Sequence, residues 1–397
     1  MNKKIYLDHA ATTPTKIEVV EAMLPYFTEK FGNPSSIYEF SGQNKEAIEE
    51  SRELVAKAIG ANEREIFFTS GGTESDNWAI LGIAESYKTK GNHIITTTIE
   101  HHAVLHTCEY LEKNGYEVTY LEVDKDGLVN PDDLKDAIKE TTILISIMLA
   151  NNEIGTVQPI EELGAIAKAS GVLFHTDAVQ GVGHVPIDVN AMHIDLLSIS
   201  GHKLYGPKGI GALYVRKGIK LKSFIHGGGQ EKKRRGGTEN VPAIVGFGKA
   251  IELAITSMEA ESKRQADLRD YLIEQVLEKI PHCRINGHKE YRLPNNANFS
   301  FEFIEGESLL IMLDMKDICA SSGSACTSGS LDPSHVLLGI GLPHEIAHGS
   351  LRISLGDQNT KEEMDYLIES LIVIVARLRE MSPLYEDYMK KQAKIER

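Results

Sequence analysis

Short apolar runs alternate with amphipathic stretches through the first half of the chain. Seven of these runs have the length and composition of buried strands: 66–69, 93–98, 117–123, 142–149, 172–176, 196–200 and 211–216. Apolar residues recur at the helical period in 17–28, 46–59, 74–87, 104–113, 132–138 and 160–169. Strands that alternate with helices form mostly parallel sheets covered by helices on both faces. The pattern therefore predicts an α/β fold built on a mostly parallel seven-stranded sheet.

The pattern changes after residue 240. A long, charge-rich helical stretch covers 241–279, and 297–303 alternates in the manner of an exposed antiparallel strand. Shorter helical or strand-like stretches follow at 307–313, 351–355 and 361–379. We expect a second, smaller α+β domain in this part. We assign residues 15–258 to the large domain, and residues 1–14 together with 259–397 to the small domain.

The composition is that of a globular protein with an acidic balance. Of the 397 residues, 42% are hydrophobic and 25% are charged, and the formal net charge is −15. Such a charge argues against a nucleic-acid partner, and the basic run at 232–235 is a local exception. We see neither a secretory signal nor an apolar run of membrane-spanning length. These observations predict a cytoplasmic protein with no nucleic-acid and no membrane partner.

The four cysteines do not have the spacing of a disulfide or zinc framework. Cys108, Cys283, Cys319 and Cys326 include no C-x-x-C pair, so we predict no cysteine-rich metal site. Cys108 and Cys319 lie in helical and strand-like patterns and are interpreted as core residues. Cys326 differs because its neighbours are Ser, Gly, Ala and Thr, a setting that packs poorly.

Lys203 follows the apolar run 196–200 within a glycine-rich stretch, Ser-Gly-His-Lys-Leu-Tyr-Gly. Glycines allow sharp turns and the close approach of a ligand. A lysine in such a cleft can lose its proton and form a Schiff base with a carbonyl group. The alternative interpretation is a surface turn with a solvated lysine.

Other strand ends carry further candidate groups, and ligands of open α/β sheets bind at such ends. Gly72 and Thr73 open a helix, which predicts either an anion site or an ordinary cap. Asp76, in the same helix, adds negative charge near this position. Asp177 would serve as a helix cap or as the partner of a protonated pyridine nitrogen. His101 would stack on a planar ring and move protons, or act only as a packed or capping residue.

Together these groups describe a pocket for pyridoxal phosphate. The strings around them resemble cysteine desulfurases of the NifS/IscS type, class V aminotransferases with the aspartate-aminotransferase-like fold (fold type I). The resemblance runs from Tyr6 to the C-terminal helix. It rests on the strings 6–13, 32–36, 71–74, 151–155, 175–180, 201–209, 235–238 and 322–328.

The resemblance implies a role for each candidate residue. Lys203 would form the Schiff base with pyridoxal phosphate and remove the substrate α-proton, and Asn152 and Arg352 would bind the substrate carboxylate. The other implied cofactor contacts are Asp177 at the ring nitrogen, Gln180 at the ring hydroxyl, His101 on the ring face, and Gly72, Thr73, Ser200 and His202 at the phosphate. Thr238 would reach the cofactor of the partner subunit, which implies a homodimer.

Cys326 determines the implied activity. Its Ala-Cys-Thr-Ser context resembles the family members that carry this cysteine on a long loop. The resemblance implies that the Cys326 thiolate attacks the sulfur of L-cysteine, which leaves L-alanine and a persulfide on Cys326. The implied catalytic residues are Cys326, Lys203 and His101. The sulfur would pass to an iron–sulfur scaffold or another acceptor protein.

Several alternatives stay open at this stage. A selenocysteine lyase or a related class V transaminase would share the fold, and an inactive homologue would act as a scaffold in sulfur transfer. Residues 344–348, His-Glu-Ile-Ala-His, also match the H-E-x-x-H pattern of zinc proteases. Pro343 and Gly349 flank this pattern and predict a helix of about one turn, too short for such a site.

Overall fold

The computed structural model describes residues 4–322 and 333–395. Its strands are β1 (Ile5–Tyr6), β2 (Ile66–Thr69), β3 (His93–Thr97), β4 (Glu117–Leu121), β5 (Thr142–Ser146), β6 (Leu173–Asp177), β7 (Leu196–Ser200), β8 (Gly211–Val215), β9 (Cys283–Asn286), β10 (Asn296–Phe301), β11 (Ile318–Cys319) and β12 (Ser350–Ser354). Its helices are α1 (Ile17–Met23), α2 (Pro25–Thr28), α3 (Glu39–Ala58), α4 (Gly72–Tyr87), α5 (His102–Lys113), α6 (Pro131–Ala137), α7 (Ile160–Ala169), α8 (Gln230–Lys233), α9 (Val241–Lys279), α10 (Gly306–Asp314), α11 (His335–Gly339), α12 (His344–His348), α13 (Lys361–Glu380) and α14 (Pro383–Ile395). Short 3₁₀ turns cover Glu63–Glu65 and Gly201–Lys203.

The main sheet contains β2 to β8, in the order β2-β8-β7-β6-β5-β3-β4. Four of its six strand pairings are parallel, and β8 is antiparallel to both of its neighbours. The predicted mostly parallel sheet of seven strands is therefore confirmed within the described residues. Because β2, β3, β5, β6 and β7 run in the same direction, their carboxyl ends meet at one edge, where ligands bind in such sheets.

Helices cover both faces of the main sheet, which is why its strands are apolar almost throughout. Phe67 and Phe68 in β2 point to opposite faces, as neighbouring strand residues do. Phe67 packs edge-on against Trp78 of α4, with ring centroids 5.8 Å apart. Phe68 packs against Phe247 of α9, with ring centroids 6.4 Å apart. Each face thus buries its own apolar cluster.

The C-terminal part contains a second sheet of three antiparallel strands, in the order β12-β10-β9. The prediction that 297–303 forms an exposed strand is wrong, because β10 is the middle strand and is buried along its whole length. Its polar side chains form internal hydrogen bonds instead of facing water. The Asn298 amide donates to the Glu153 carbonyl oxygen at 3.1 Å. The Asn286 amide donates to the Ser300 hydroxyl at 2.9 Å.

The long helix α9 joins the two parts of the molecule. Val241 and Phe247 near its start belong to a core against the main sheet, whereas Leu272 and Val276 belong to a second core around β10 and β12. The proposed domain border at 258/259 falls inside this helix and stays a prediction. By length and composition alone α9 could cross a membrane, contrary to the sequence expectation. Part of its apolar surface is buried within the protein, as Val241 and Phe247 show.

Other local predictions have mixed outcomes. α3 begins at Glu39 instead of residue 46, and the predicted helix 17–28 divides at Pro25, whose ring nitrogen has no hydrogen to donate within a helix. The helix of the H-E-x-x-H pattern, α12, is a single turn of five residues, as predicted. Cys108 is buried as expected, but Cys319 is only partly buried, so its assignment to the core is wrong.

Candidate active site

The predicted site residues converge on one cavity at the carboxyl edge of the main sheet. The cavity has a volume of about 330 Å³. The predicted residues that line it are Gly72, Thr73, His101, Asn152, Asp177, Gln180, Ser200, His202, Lys203 and Arg352. Thr238 is exposed and does not line the cavity of its own chain. Cys326 lies outside the described residues.

Lys203 ends the 3₁₀ turn that follows β7. Its Nζ donates to the carbonyl oxygens of Ala10 and Ala11 at 2.5 and 2.6 Å, so the N-terminal segment holds the amine in the cavity. Close packing accounts for the glycines, since a Cβ on Gly206 would lie 2.7 Å from the Gly201 carbonyl oxygen. The lysine is therefore presented by a tight, packed turn and not by a solvated loop.

One end of the cavity is the N-terminus of α4. Its N-cap residue, Gly71, has no side chain to accept from the first N–H groups of the helix, which suits them to an anion. Ser200 and His202 line the same region. The His202 Nδ1 lies 3.0 Å from the Thr12 hydroxyl. Burial, together with the charge of Lys203, lowers the pKa of His202 to about 4, so the imidazole is neutral at pH 7.

Asp177 ends β6 and lies deep in the cavity. Its Oδ1 accepts the Val179 N–H at 2.9 Å. Burial raises the pKa of the carboxyl to about 6, although this hydrogen bond and the charge of Lys203 lower it. Asp177 is therefore mostly ionised at pH 7, and a buried carboxylate requires a cationic or hydrogen-bonding partner. The nearby Gln180 amide donates to the Ala10 carbonyl oxygen at 3.0 Å.

His101 follows β3 and acts both as a helix cap and as a lining residue of the cavity. Its Nδ1 accepts the Ala103 N–H at 3.1 Å, so the neutral ring carries its proton on Nε2. Burial, with His102 and Lys203 nearby, lowers the pKa of His101 to about 4. A neutral imidazole in this position can lie against a planar ring and exchange one proton.

Arg352 of β12 forms the other end of the cavity. Its Nη2 donates to Asp8 Oδ1 at 2.7 Å, and its Nη1 donates to the Asn152 carbonyl oxygen at 3.0 Å. Its Nε is buried and has no hydrogen-bond partner among the described residues. Because an unsatisfied buried donor is costly, this nitrogen is suited to a carboxylate ligand.

Asp8 was not singled out in the sequence, where no local signal links it to residue 352. The fold makes the link, because Asp8 bridges to Ser354 at the end of β12. The position of Asp76 beside β6 also could not be predicted from the sequence. Its carboxyl group faces the cavity beside β6, with Oδ1 3.7 Å from the Nε2 of His175.

The lining residues fit pyridoxal phosphate, the cofactor implied by the resemblance. The cavity is within the size range of small-molecule sites, about 300 to 1,000 Å³. An uncapped helix N-terminus suits the phosphate, the ionised Asp177 suits a protonated ring nitrogen, and the amine of Lys203 suits the aldehyde. The buried Nε of Arg352 is suited to a substrate carboxylate.

Comparison with known proteins agrees with this arrangement. Residues 5–367 match the family model of class V aminotransferases. A protein of Clostridium botulinum named "Cysteine desulfurase IscS" is 60% identical over 394 residues, which are 99% of each chain. A solved structure titled "NIFS-LIKE PROTEIN" is 40% identical and superposes with a TM-score of 0.89, covering 94% of this chain and 100% of that one.

A second solved structure, titled "SspA in complex with cysteine", is 41% identical with a TM-score of 0.80 and covers 88% of this chain and 98% of that one. The identities extend over nearly the whole chain, so they concern the full fold and not one motif. The predicted resemblance and the predicted fold class are both confirmed. The chain belongs to the class V aminotransferases and, within them, to the cysteine desulfurases of the NifS/IscS type.

Proposed function

We propose that this protein uses pyridoxal phosphate to convert L-cysteine to L-alanine and places the sulfur on Cys326 as a persulfide. The observation that carries this proposal is the cavity itself, in which the amine of Lys203, the carboxylate of Asp177 and the guanidinium of Arg352 face one space. The full-length similarity to a protein named as a cysteine desulfurase supports the same reaction.

Pyridoxal phosphate, when bound, supplies an electron sink that stabilises negative charge at the substrate α-carbon. The residues that would hold it are Gly72, Thr73, Ser200 and His202 at the phosphate, Asp177 at the ring nitrogen, Gln180 at the ring hydroxyl, His101 on the ring face and Lys203 at the aldehyde carbon. The ionised state of Asp177 matters here, because a carboxylate keeps the ring nitrogen protonated.

The substrate carboxylate is bound at the opposite end, and the substrate is deprotonated by Lys203. Arg352 and Asn152 hold the carboxylate, and the preset contact of Arg352 with Asp8 fixes the direction of the guanidinium. The Nζ of Lys203 then removes the α-proton. His101, neutral at pH 7, exchanges a proton through its Nε2.

The flanks of the segment that contains Cys326 lie beside this site. Ser321 pairs through its backbone with Arg352, and the His335 Nε2–H donates to the Glu100 carbonyl oxygen at 2.9 Å, one residue before His101. Cys326 follows Ser321 by five positions, a chain length that spans at most about 17 Å. This reach supports Cys326 as the nucleophile at the substrate sulfur.

The sulfur-transfer step balances without an external oxidant. The Cys326 thiolate attacks the substrate sulfur, so the S–S bond forms while the C–S bond breaks. The electron pair of the C–S bond stays with the substrate carbon, which takes up a proton and leaves as L-alanine. The protein thiol is oxidised to a persulfide, and the carbon is reduced.

The decisive experiment measures L-alanine released from L-cysteine in the presence of a thiol reductant. Cys326→Ala is expected to lower the rate by at least about 10²-fold, since it removes the nucleophile. Cys319→Ala, seven residues earlier, is the matched control and should stay within about twofold. Equal rates for Cys326→Ala and wild type would reject the persulfide route.

The same assay separates the alternatives. L-Alanine from L-selenocysteine but not from L-cysteine would indicate a selenocysteine lyase. Absence of product from either substrate, with pyridoxal phosphate bound, would indicate an inactive scaffold. Production of pyruvate or a keto acid in place of L-alanine would indicate a related lyase or transaminase.

The proposed assembly is a homodimer in which Thr238 of each chain reaches the cofactor phosphate of the other. Support comes from the exposure of Thr238 and from the anchoring of its loop to the start of α4, where Arg235 Nε donates to Glu74 Oε1 at 2.9 Å. Phe27, Phe31 and Ile37 add exposed apolar surface that a partner would cover. Sedimentation analysis that finds a monomer at working concentration would reject this assembly.

The sulfur acceptor and the location in the cell stay predictions from the sequence. An iron–sulfur scaffold or another acceptor protein would take the persulfide sulfur from Cys326, in the cytoplasm. Transfer of labelled sulfur from L-[³⁵S]cysteine to a purified acceptor is the direct measurement, with Cys326→Ala as the negative control.

A further inference from the structure

Two carboxyl groups, not one, face the inner part of the cavity. Asp76 of α4 and Asp177 of β6 both line it, and their exposed fractions are 1% and 6%. Asp177 is paired in the sheet with Ser198 of β7. Asp76 lies over the same region of the sheet, with Oδ1 3.7 Å from the Nε2 of His175, two residues before Asp177 on the same strand face.

No cation among the described residues is paired with Asp76. The His175 ring is buried and bound to hydroxyl groups on both sides, with Nδ1 2.8 Å from Ser146 and Nε2 3.0 Å from Ser198. Burial lowers the pKa of His175 to about 3, so this imidazole carries no charge at pH 7. The Oδ1 of Asp76 is buried without a hydrogen-bond partner. An ionised Asp76 would therefore be a buried charge that no described cation compensates, although the Ser198 side chain donates a hydrogen bond to the carboxyl group.

The surroundings of the two carboxyl groups are unequal. Asp177 accepts the Val179 N–H and lies near the charge of Lys203, and both favour its ionised form. The titratable groups that face Asp76 are Asp177 and His175 from β6 and Glu100 after β3, none of them cationic at pH 7. Burial, followed by the charge of Asp177, raises the pKa of Asp76 well above its ordinary value, although a hydrogen bond from the Ser198 side chain opposes this rise. Two neighbouring buried carboxyl groups do not ionise together, and the better-supported one ionises first.

We propose that Asp76 is a positioning residue that holds the proton of this carboxyl pair, so that the negative charge stays on Asp177 toward the cofactor ring nitrogen. The identity of that cofactor rests on the proposed function. Asp76 acts through Asp177 and does not contact the reacting atoms. In this role it is a neutral hydrogen-bond donor, a part that asparagine can also take.

The first test is the melting temperature of the full chain without added cofactor, for wild type and Asp76→Asn at pH 5.5 and pH 8.5. A carboxyl group with a raised pKa in the folded state makes the fold bind extra protons, so stability falls as the pH rises from the unfolded pKa through the folded one. Asparagine does not ionise, so the Asp76→Asn variant does not lose stability in this way. Asp76→Asn is therefore expected to melt about 2 to 4 °C above wild type at pH 8.5, with a smaller difference at pH 5.5.

Glu74→Gln, on the same helix, is the matched control. The pKa of Glu74 is lowered, because hydrogen bonds from Arg235 and Ser70 outweigh the opposing effect of burial. Loss of its charge should lower the melting temperature at pH 8.5, opposite in sign to Asp76→Asn. A lower melting temperature for Asp76→Asn at pH 8.5 would overturn the proposal, since it would show that Asp76 is ionised and stabilising.

The second test uses the absorbance of added pyridoxal phosphate, titrated with pH. Asp76→Asn keeps a neutral donor and is expected to leave the pH midpoint of the visible band within about 0.3 unit of wild type. Asp76→Ala removes the neutral carboxyl group beside the Asp177 carboxylate and should raise the midpoint by about one unit, because a more basic Asp177 holds cofactor protons more strongly.

Equal midpoints for Asp76→Ala and wild type would also overturn the proposal. Failure of the proposed function has a different signature. If no variant and no wild-type protein gave a protein-bound visible band, the cofactor assignment would be rejected, while the melting temperatures would still report the protonation state of Asp76.

Discussion

The two ends of the cavity are built in different ways. The end that suits the cofactor is made of strand ends of one sheet. Thr73 lies in the first turn of α4 after β2, Asp177 ends β6, and Lys203 ends the 3₁₀ turn that follows β7. The end that suits the substrate carboxylate is assembled from remote segments, because Asp8, Asn152 and Arg352 lie far apart in the chain. The first end is a local property of βα units, whereas the second requires the complete tertiary fold.

This difference implies that the two ends can be impaired separately. Arg352→Lys is expected to raise the KM for L-cysteine about 10- to 100-fold, because a single ammonium group replaces the planar fork that binds a carboxylate and contacts Asp8. The affinity for pyridoxal phosphate should change by less than about twofold. Steady-state kinetics and a cofactor titration measure the two quantities.

Ser200→Ala is the matched variant at the other end of the cavity. It should weaken cofactor binding and leave the KM of the cofactor-saturated enzyme unchanged. If Arg352→Lys lowered cofactor affinity as much as Ser200→Ala, cofactor binding would depend on both ends of the cavity. The two ends could then not be impaired separately.

A smaller effect is expected from Asp8→Asn. The variant leaves the buried guanidinium of Arg352 without its carboxylate, and loss of one partner of a buried pair is destabilising. The melting temperature should fall by several degrees. Saturating L-alanine should restore part of this loss, since its carboxylate supplies the missing charge. An equal stabilisation of wild type and variant by L-alanine would show that Asp8 and the ligand do not share Arg352.

The smallest effect concerns the loop beside the phosphate end. Arg235→Gln removes the partner of Glu74, whose pKa is lowered in the folded protein. Such a carboxylate adds stability above its unfolded pKa and loses that contribution as the pH falls through its folded pKa. We expect the variant to melt about 1 to 2 °C below wild type at pH 7 and the difference to shrink as the pH falls below about 4.3, the ordinary pKa of glutamate. A difference in melting temperature that does not depend on pH would indicate that Arg235 stabilises the fold through packing and not through its charge.

The sequence allowed prediction of the features that depend on local order. The strand ends at Thr69 and Ser200 could be predicted because an apolar run precedes each of them and glycines follow. The end of β6 at Asp177 lies one residue beyond the predicted run 172–176. Asp8 could not be linked to Arg352, because that contact depends on how the N-terminal segment lies against β12. The burial of β10 was missed since Asn298 and Ser300 resemble solvent-facing residues until their internal partners are known.

The position of the N-terminal segment also has a consequence for synthesis. Leu7 donates its N–H to Cys319 and accepts from the Ser354 N–H, both at 2.8 Å, and residues 10 and 11 then reach Lys203. Residues 5–11 are synthesised before the residues near 319 and 354 that bind them. This segment of the nascent chain can therefore take its final place only after those later strands exist. The active site, which includes Arg352 of β12, is complete only once the strands of the C-terminal part have formed.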